Sequence, residues 1–564
     1  MNSLLKRTPL FVLGGLLSTS LLAQKDDLPK GWHLMDKTTS GYNGISIDKA
    51  YEFIKSKKAK SNTVIVAVID SGIDTTHEDL KPVLWVNKNE IPGNGIDDDK
   101  NGYVDDVHGW NFLGSRDGKK NVEQDSYEAA RVYHQFKSKF EGKELELSKL
   151  SPEEQFEYAM WKRSEKEIAG ESKTGTMELM FLKKAFNGAM KSDSILRKAI
   201  GKEKYTGKEV EALNTIDPDA KKARTAMLTL FQGNDAMESS NEELLEGFGD
   251  YVNGEVKKAE ASEKAPQPYR AEIVKDNYSD FNDKFYGNNN VQVSNKSALH
   301  GTHVSGIIAA VRGNGVGMDG VAGNVRIMSL RAVPDGDEHD KDIALAIRYA
   351  VDNGAQVINM SFGKGFSPEK YWIDDAVKYA DSKGVLLVHA AGNDAKNIDT
   401  TFNYPSPVFV KDSKRASNWI TVGASNDPKN GGYTAGFSNY GKSEVDVFAP
   451  GVKIYSTIPG GNTYASLQGT SMASPVVAGL AALILEYFPS LSAQQVKYVI
   501  ERSAQNPGEK VINPGTGEEV EMNEISKTGG IINAYEALKL ASTLKGERNM
   551  KPTKSVVKPA KVKS

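Results

Sequence analysis

The chain has no cysteine among its 564 residues, which excludes a disulfide framework, a thiolate nucleophile and a cysteine-held lipid. It also lacks a charge excess, since 71 basic against 74 acidic side chains leave a formal charge of −3. That balance points away from a nucleic-acid partner. Beyond the N-terminus, no run reads as apolar enough to cross a membrane. An exported chain without disulfides needs another staple, and bound metal is one.

What is present begins with Lys6 and Arg7 ahead of a Leu-rich run from Leu10 to Leu22 that closes at Ala23. This is the layout of a secretory signal peptide, and it falls short of the ~20 residues that span a bilayer. A secreted or cell-envelope location is expected. Residues 24–60 are polar and mixed, with Trp32 and Ala50–Ile54 as apolar anchors.

The unbroken run Val64–Ile69 reads as a central parallel strand, ended by Asp70-Ser71-Gly72, and a carboxylate there stands where open α/β sheets place ligands. Similar runs follow at 325–330, 356–360, 385–391, 419–422 and 445–448, with helical patterns at 342–353 and 373–383. The alternation predicts an α/β fold: a mostly parallel sheet with helices on both faces. Between them, residues 119–290 turn Lys/Glu-rich and helical, with capping signals at Ser151-Pro152-Glu153-Glu154 and Asp217-Pro218. They predict an inserted, mostly α-helical subdomain.

In Gly95–Asp106, the spacing of Asp97, Asp99, Asn101 and Tyr103 imitates the first half of a calcium loop. The second half departs from it. His108 stands where the closing glutamate belongs, so Asp105 or Asp106 must serve, and a structural calcium ion is expected here. A pair of histidines, His300 and His303, lies near a helix start without the glutamate of a zinc protease. Acid–base chemistry or packing are its remaining readings. Asn359–Gly363 offers main-chain groups for an extended peptide, and Asn393 puts an amide just past a strand end. Gly469-Thr470-Ser471-Met472-Ala473-Ser474-Pro475 opens an apolar helix through Leu485. A hydroxyl there faces the positive end of the helix dipole, or it simply caps the helix, and Pro475 suits the first turn.

Taken together, Asp70-Ser71-Gly72, His300-Gly301-Thr302-His303, Ala391-Gly392-Asn393 and Gly469–Pro475 resemble the subtilisin-like serine proteases in type and chain order. The resemblance covers roughly 60–110 and 295–505. It implies that Ser471 is the nucleophile, His300 its base, Asp70 the group orienting the base, and Asn393 an oxyanion donor. It also implies that Ser361, Phe362 and Gly363 bind polypeptide substrate, while His303 is structural. The expected division is a signal peptide 1–23, an N-terminal segment 24–60, a catalytic domain 61–118 and 291–505, and the insertion 119–290. A C-terminal extension 506–545 and a disordered Lys/Pro-rich tail 546–564 follow, the tail a candidate contact for an anionic envelope surface. Two rivals remain. One is a catalytically silent binding protein of the same fold. The other is an aspartic protease, which needs a second Asp-Ser-Gly or a symmetric dimer, and the chain has no second copy.

Overall fold

The computed structural model describes residues 28–548 apart from 169–174, 235 and 238. The expected signal peptide and all but the first three residues of the expected tail lie outside the described residues. Of the described residues, 28–128 with 267–548 form one compact unit, and Ala129–Pro266 belong to another.

The first unit is built on seven strands: β1 Val64–Asp70, β2 Gly109–Asn111, β3 Val325–Arg331, β4 Val357–Met360, β5 Leu386–Ala390, β6 Trp419–Ser425 and β7 Val447–Pro450. They lie in the order β2-β3-β1-β4-β5-β6-β7 and every neighbouring pair is parallel. Six of these strands coincide with the apolar runs. The seventh, β2, is too short to leave a pattern; it lies so close to β3 that a Cβ on Gly109 would stand 1.9 Å from the Ser329 carbonyl oxygen.

Alternation within the apolar runs feeds two separate cores. Val64, Val66 and Val68 face the helices Asn295–Ala309, Thr470–Tyr487, Ala493–Ser503 and Ala534–Ala541. Ala67 and Ile69 face the helices Asp340–Asp352 and Lys370–Ser382. Each fully buried Val, Leu or Ile contributes about 1.5–3 kcal/mol, so both faces hold the strands firmly. The helix before β3 lies on one face and those after β3 and β4 on the other. The connections therefore change side between β1 and β4, and ligands of open α/β sheets bind at the strand ends flanking such a point.

The helix Thr470–Tyr487 runs through the first core. Its length and composition would let it cross a membrane, which corrects the expectation that no later segment could; 89% of its residues are buried in protein instead. The N-terminal segment is part of the same core: Ile45, Ile47, Ala50 and Ile54 pack into it, and Trp32 Nε1 donates to the Val452 carbonyl at 2.9 Å.

The second unit is helical, with Glu128–Phe140 entering it, followed by Pro152–Ile168, Gly175–Ile200, Gly207–Ala212, Pro218–Gly233 and Asn241–Glu263. Ser151 and Glu154 cap Pro152–Ile168 reciprocally, at 3.0 and 3.1 Å. A small core of its own collects Leu196, Tyr205, Val210, Met227 and Phe231. Beside it, Asp193 accepts from Tyr205 Oη at 2.8 Å and Asn241 Nδ2 at 2.7 Å. In the sheet unit, Gln124 Nε2 donates to Tyr269 Oη at 3.4 Å, so the chain leaves that unit and rejoins it at neighbouring points.

Candidate active site

Asp70 ends β1, and its carboxylate is set by the turn that follows: Oδ1 accepts from the Ser71 amide at 2.7 Å and from His300 Nδ1 at 2.8 Å. His300 lies on the helix Asn295–Ala309, one residue before Gly301. A Cβ at Gly301 would stand 2.1 Å from the Gly72 carbonyl oxygen, so only glycine lets this helix approach the strand end closely enough for the bond. Nδ1 donating to Asp70 leaves Nε2 as the unprotonated, basic nitrogen. Burial works to lower the His300 pKa, but the charge of Asp70 and its hydrogen bond outweigh that and leave it raised. The ring side chain keeps 36% of its surface exposed while the Asp70 side chain keeps 3%, so the carboxylate is shielded and the base is reachable.

His303, one helical turn on, behaves differently. It is fully buried, its Nε2 donates to the Ala465 carbonyl at 3.1 Å, and burial pulls its pKa down to about 3. Such a ring stays neutral and packs.

Ser471 stands in the first turn of the helix Thr470–Tyr487. Pro475 is not in that turn, as the sequence suggested, but inside the helix. Lacking an N–H, it cannot bond the carbonyl four residues back, which is that of Ser471. The vacancy is filled from β4: Ser361 Oγ donates to the Ser471 carbonyl at 2.9 Å, and Ser471 Oγ donates to the Ser361 carbonyl at 3.0 Å. Asn359 continues the link, giving Nδ2 to Ser361 Oγ at 2.9 Å and taking Ser474 Oγ at 2.8 Å. The serine helix is thereby bolted to the end of β4. In this arrangement the Ser471 hydroxyl rests on Ser361.

Asn393 follows β5. Its Oδ1 accepts from the amide and the hydroxyl of Thr470, at 2.8 and 2.9 Å, which turns Nδ2 the other way. A point where a Cβ of Gly469 would stand is 3.5 Å from Asn393 Nδ2 and 3.5 Å from the Ser471 amide nitrogen. Two donors thus border one space in front of a residue with no side chain, which suits a developing oxyanion. Of the expected peptide-binding strand, the Phe362 carbonyl is turned inward and accepts from His389 Nε2 at 2.8 Å. Burial pulls the His389 pKa down to about 4, so this support is neutral. Neither main-chain polar group of Gly363 has a protein partner among the described residues.

The subtilase family profile matches residues 61–518. The chain belongs to the subtilase family. Its members are serine-type endopeptidases, and curated relatives agree with the assignment. The chain is 42% identical to subtilisin DY of Bacillus licheniformis over 37% of its own length and 72% of that protein. It is 44% identical to a thermophilic serine proteinase of Bacillus sp. (strain AK1) over 38% of its length, spanning 48% of that protein. It is 34% identical to a cell wall-associated protease of Bacillus subtilis (strain 168) over 45% of its length and 26% of that protein.

Two features of this subtilase escaped the motifs. Arg331, at the end of β3 and fully buried, donates to the Ser71 carbonyl at 3.0 Å, to Asn111 Oδ1 at 3.0 Å and to the Val122 carbonyl at 2.6 Å. Burial pulls its pKa down to about 10, and it clamps the turn that carries Asp70. The second lies in the acidic loop. Glu90, Asp99 and Asp106 bring one carboxylate oxygen each within 4.8 Å of one another. Glu90 has no motif spacing to the other two. Glu90 also accepts from the amides of Asp98, Asp99 and Asp105, Asp97 turns both oxygens to the amides of Asn101 and Gly102, and Asp105 turns its own to those of Gly93, Asn94 and Gly95. Asn101 gives Nδ2 to Asp106 at 3.0 Å, and the Tyr103 ring packs against Trp110 and Tyr349. Burial pushes the Asp106 carboxyl up to about 6, helped by the charge of Asp99 and opposed by bonds from Tyr349, Asn87 and Asn101. Three converging carboxylates with no basic partner in the cluster are a set of hard oxygen donors that fits calcium.

Proposed function

We propose that this subtilase hydrolyses internal peptide bonds of polypeptides with Asp70, His300 and Ser471 as its triad. The observation that carries the reading is the hydrogen bond between Asp70 and His300 Nδ1, which joins residues 230 apart and raises the pKa of a partly exposed imidazole. Ser471 Oγ attacks the scissile carbonyl carbon while His300 Nε2 takes its proton. The carbonyl electron pair moves onto oxygen, which Asn393 Nδ2 and the Ser471 amide receive. Collapse expels the amine, protonated by His300, and leaves an acyl-enzyme. Water then gives a proton to His300 and its oxygen to the acyl carbon, and collapse expels Ser471 Oγ, which takes that proton back from His300. Substrate pairs as an added strand with Ser361 and Gly363.

Glu90, Asp99 and Asp106 would hold a structural calcium ion, which supplies charge compensation to the loop. Residues 129–266 act as a self-folded insertion between Asp70 and His300, tolerated because loop-closure entropy grows only logarithmically. The Leu-rich N-terminus and the cell wall-associated relative support an exported, envelope or extracellular protein.

A fluorophosphonate probe should label the protein and Ser471→Ala should abolish labelling; a mutant that labels as well as wild type sinks the triad. The bond from Ser471 Oγ to Ser361 favours one rival, a silent binding protein of this fold. Hydrolysis of casein by purified protein excludes it.

A further inference from the structure

We infer that Lys364 is a positioning residue for peptide binding: its buried ammonium ties the strand Ser361–Gly363 to the two chain segments between which residues 129–266 are inserted. The inference rests on the peptidase reading above and concerns what holds the substrate strand of that same site in place.

Lys364 follows Gly363 directly and is fixed at both ends. Its main chain exchanges two hydrogen bonds with that of Tyr404, at 2.9 and 2.8 Å. Its side chain is 1% exposed, and the three N–H bonds of an ammonium meet three acceptors. These are Glu128 Oε2 at 2.7 Å, Asp340 Oδ1 at 2.9 Å and the Glu338 carbonyl at 2.7 Å. Glu128 is the residue after which the chain leaves the sheet unit. Asp340 opens the helix Asp340–Asp352 and also holds the chain beyond Lys364, since its Oδ2 accepts from Ser367 Oγ at 3.0 Å and from the Glu369 amide at 2.9 Å.

The next two residues of that helix hold the returning segment. Lys341 donates to Asp276 Oδ2 at 2.8 Å and to the Asn277 carbonyl at 2.7 Å, and Asp342 accepts from Arg270 Nη1 and Tyr286 Oη, each at 2.5 Å. Tyr278 closes the circuit by donating to Glu369 Oε2 at 2.9 Å. Asp340, Lys341 and Asp342 are all buried, and three consecutive charges persist in a protein interior only because each meets its counter-charge. Burial raises the carboxyl pKa of both Glu338 and Glu369, and the charge of Lys364 opposes that rise in each. One ammonium thus serves several acids, and it sits one residue from Gly363. Without it the strand end is free to shift. Such a shift loses main-chain bonds to an extended peptide but leaves Asp70, His300 and Ser471 in place, so the deficit falls on KM.

The test compares an internally quenched peptide long enough to lie along Gly363 with an acetylated single-residue ester that is not. Lys364→Met keeps the length of the side chain and removes its charge. It should raise KM for the peptide about fivefold, the usual contribution of one main-chain hydrogen bond, while kcat and both ester parameters stay within about twofold of wild type. Glu128→Gln, a milder change at the root of the insertion, should raise the peptide KM by a smaller factor, and it decides alone if Lys364→Met does not fold. Lys370→Met is the comparison: that lysine is also buried and pairs with Asp374 at 2.5 Å, so its loss should lower the unfolding midpoint and leave KM unchanged. Equal losses on peptide and ester, an unchanged peptide KM in Glu128→Gln, or a peptide KM raised as much by Lys370→Met overturns the inference. Wild-type protein that neither takes a fluorophosphonate nor cleaves either substrate refutes the peptidase reading instead.

Discussion

The sheet unit and the helical unit bury their apolar surface in different ways. In β1 every valine and isoleucine but Ile65 is at most 2% exposed, covered by helices above and below. In the helical unit, Met177, Met180 and Phe181 on one helix are 84%, 68% and 75% exposed, and the core is a small local cluster. Catalytic geometry must be held to a fraction of an ångström, and it is attached to the unit whose strands cannot shift without disturbing two cores. The helical unit has sequence-local contacts of its own and is free to vary.

That contrast can be broken or sharpened in order of expected effect. Ser471→Ala should lower kcat by roughly 10⁶-fold, a size known from subtilisin and so borrowed from this family rather than derived. Measured turnover within tenfold of wild type would separate the sheet unit from catalysis. Asn393→Ala should cost ~10²–10³ in kcat with KM little changed, again a subtilisin magnitude. An effect on KM alone would place Asn393 in binding.

Acid comes next. The Asp70 charge raises the His300 pKa, so the base is lost as pH falls through a value above the ordinary one, and kcat/KM should then drop about tenfold per pH unit. Asp70→Asn removes the raising charge, and its residual activity should inflect at lower pH. A profile that keeps its inflection in that variant contradicts the pairing.

Chelation should destabilise the wild type by about 3 kcal/mol if calcium is present at ~100 times its Kd. The unfolding midpoint of Glu90→Gln should be insensitive to the chelator; a wild type indifferent to chelator removes the calcium site. Smallest is Asp193→Ala, which strands the Tyr205 and Asn241 donors and should cost the helical unit about 1–3 kcal/mol. Fluorophosphonate labelling should stay at the wild-type rate. A matching loss of labelling would show that the two units are not energetically separate.

Much of this was readable in the sequence because parallel strands buried on both faces leave unbroken apolar runs, as in Val64–Ile69. Asp70 ends such a strand and Ser471 lies in the first turn of an apolar helix, while Asn393 follows a strand and His300 stood out by its motif within a helix. What was not readable is what the fold alone brings together. Glu90 joins Asp99 and Asp106 with no periodic spacing, while Asp97, which has that spacing, is not in the converging set. Pro475 looked like a first-turn residue, and only the start of the helix at Thr470 shows that it frees the Ser471 carbonyl for Ser361. Arg331 lies on a strand end with nothing in its neighbours to mark it.

The bolt between Ser361 and Ser471 also fixes a timetable. The ribosome makes Asp70 long before His300, and Ser471 later still, with 110 residues between the two bolted serines. The helix that carries Ser471 is also the one around which the first core closes. A nascent chain therefore lacks a finished interior until the helix Thr470–Tyr487 has emerged. Hydrolytic power arrives together with the native state, so the half-made enzyme cannot cut itself or its neighbours.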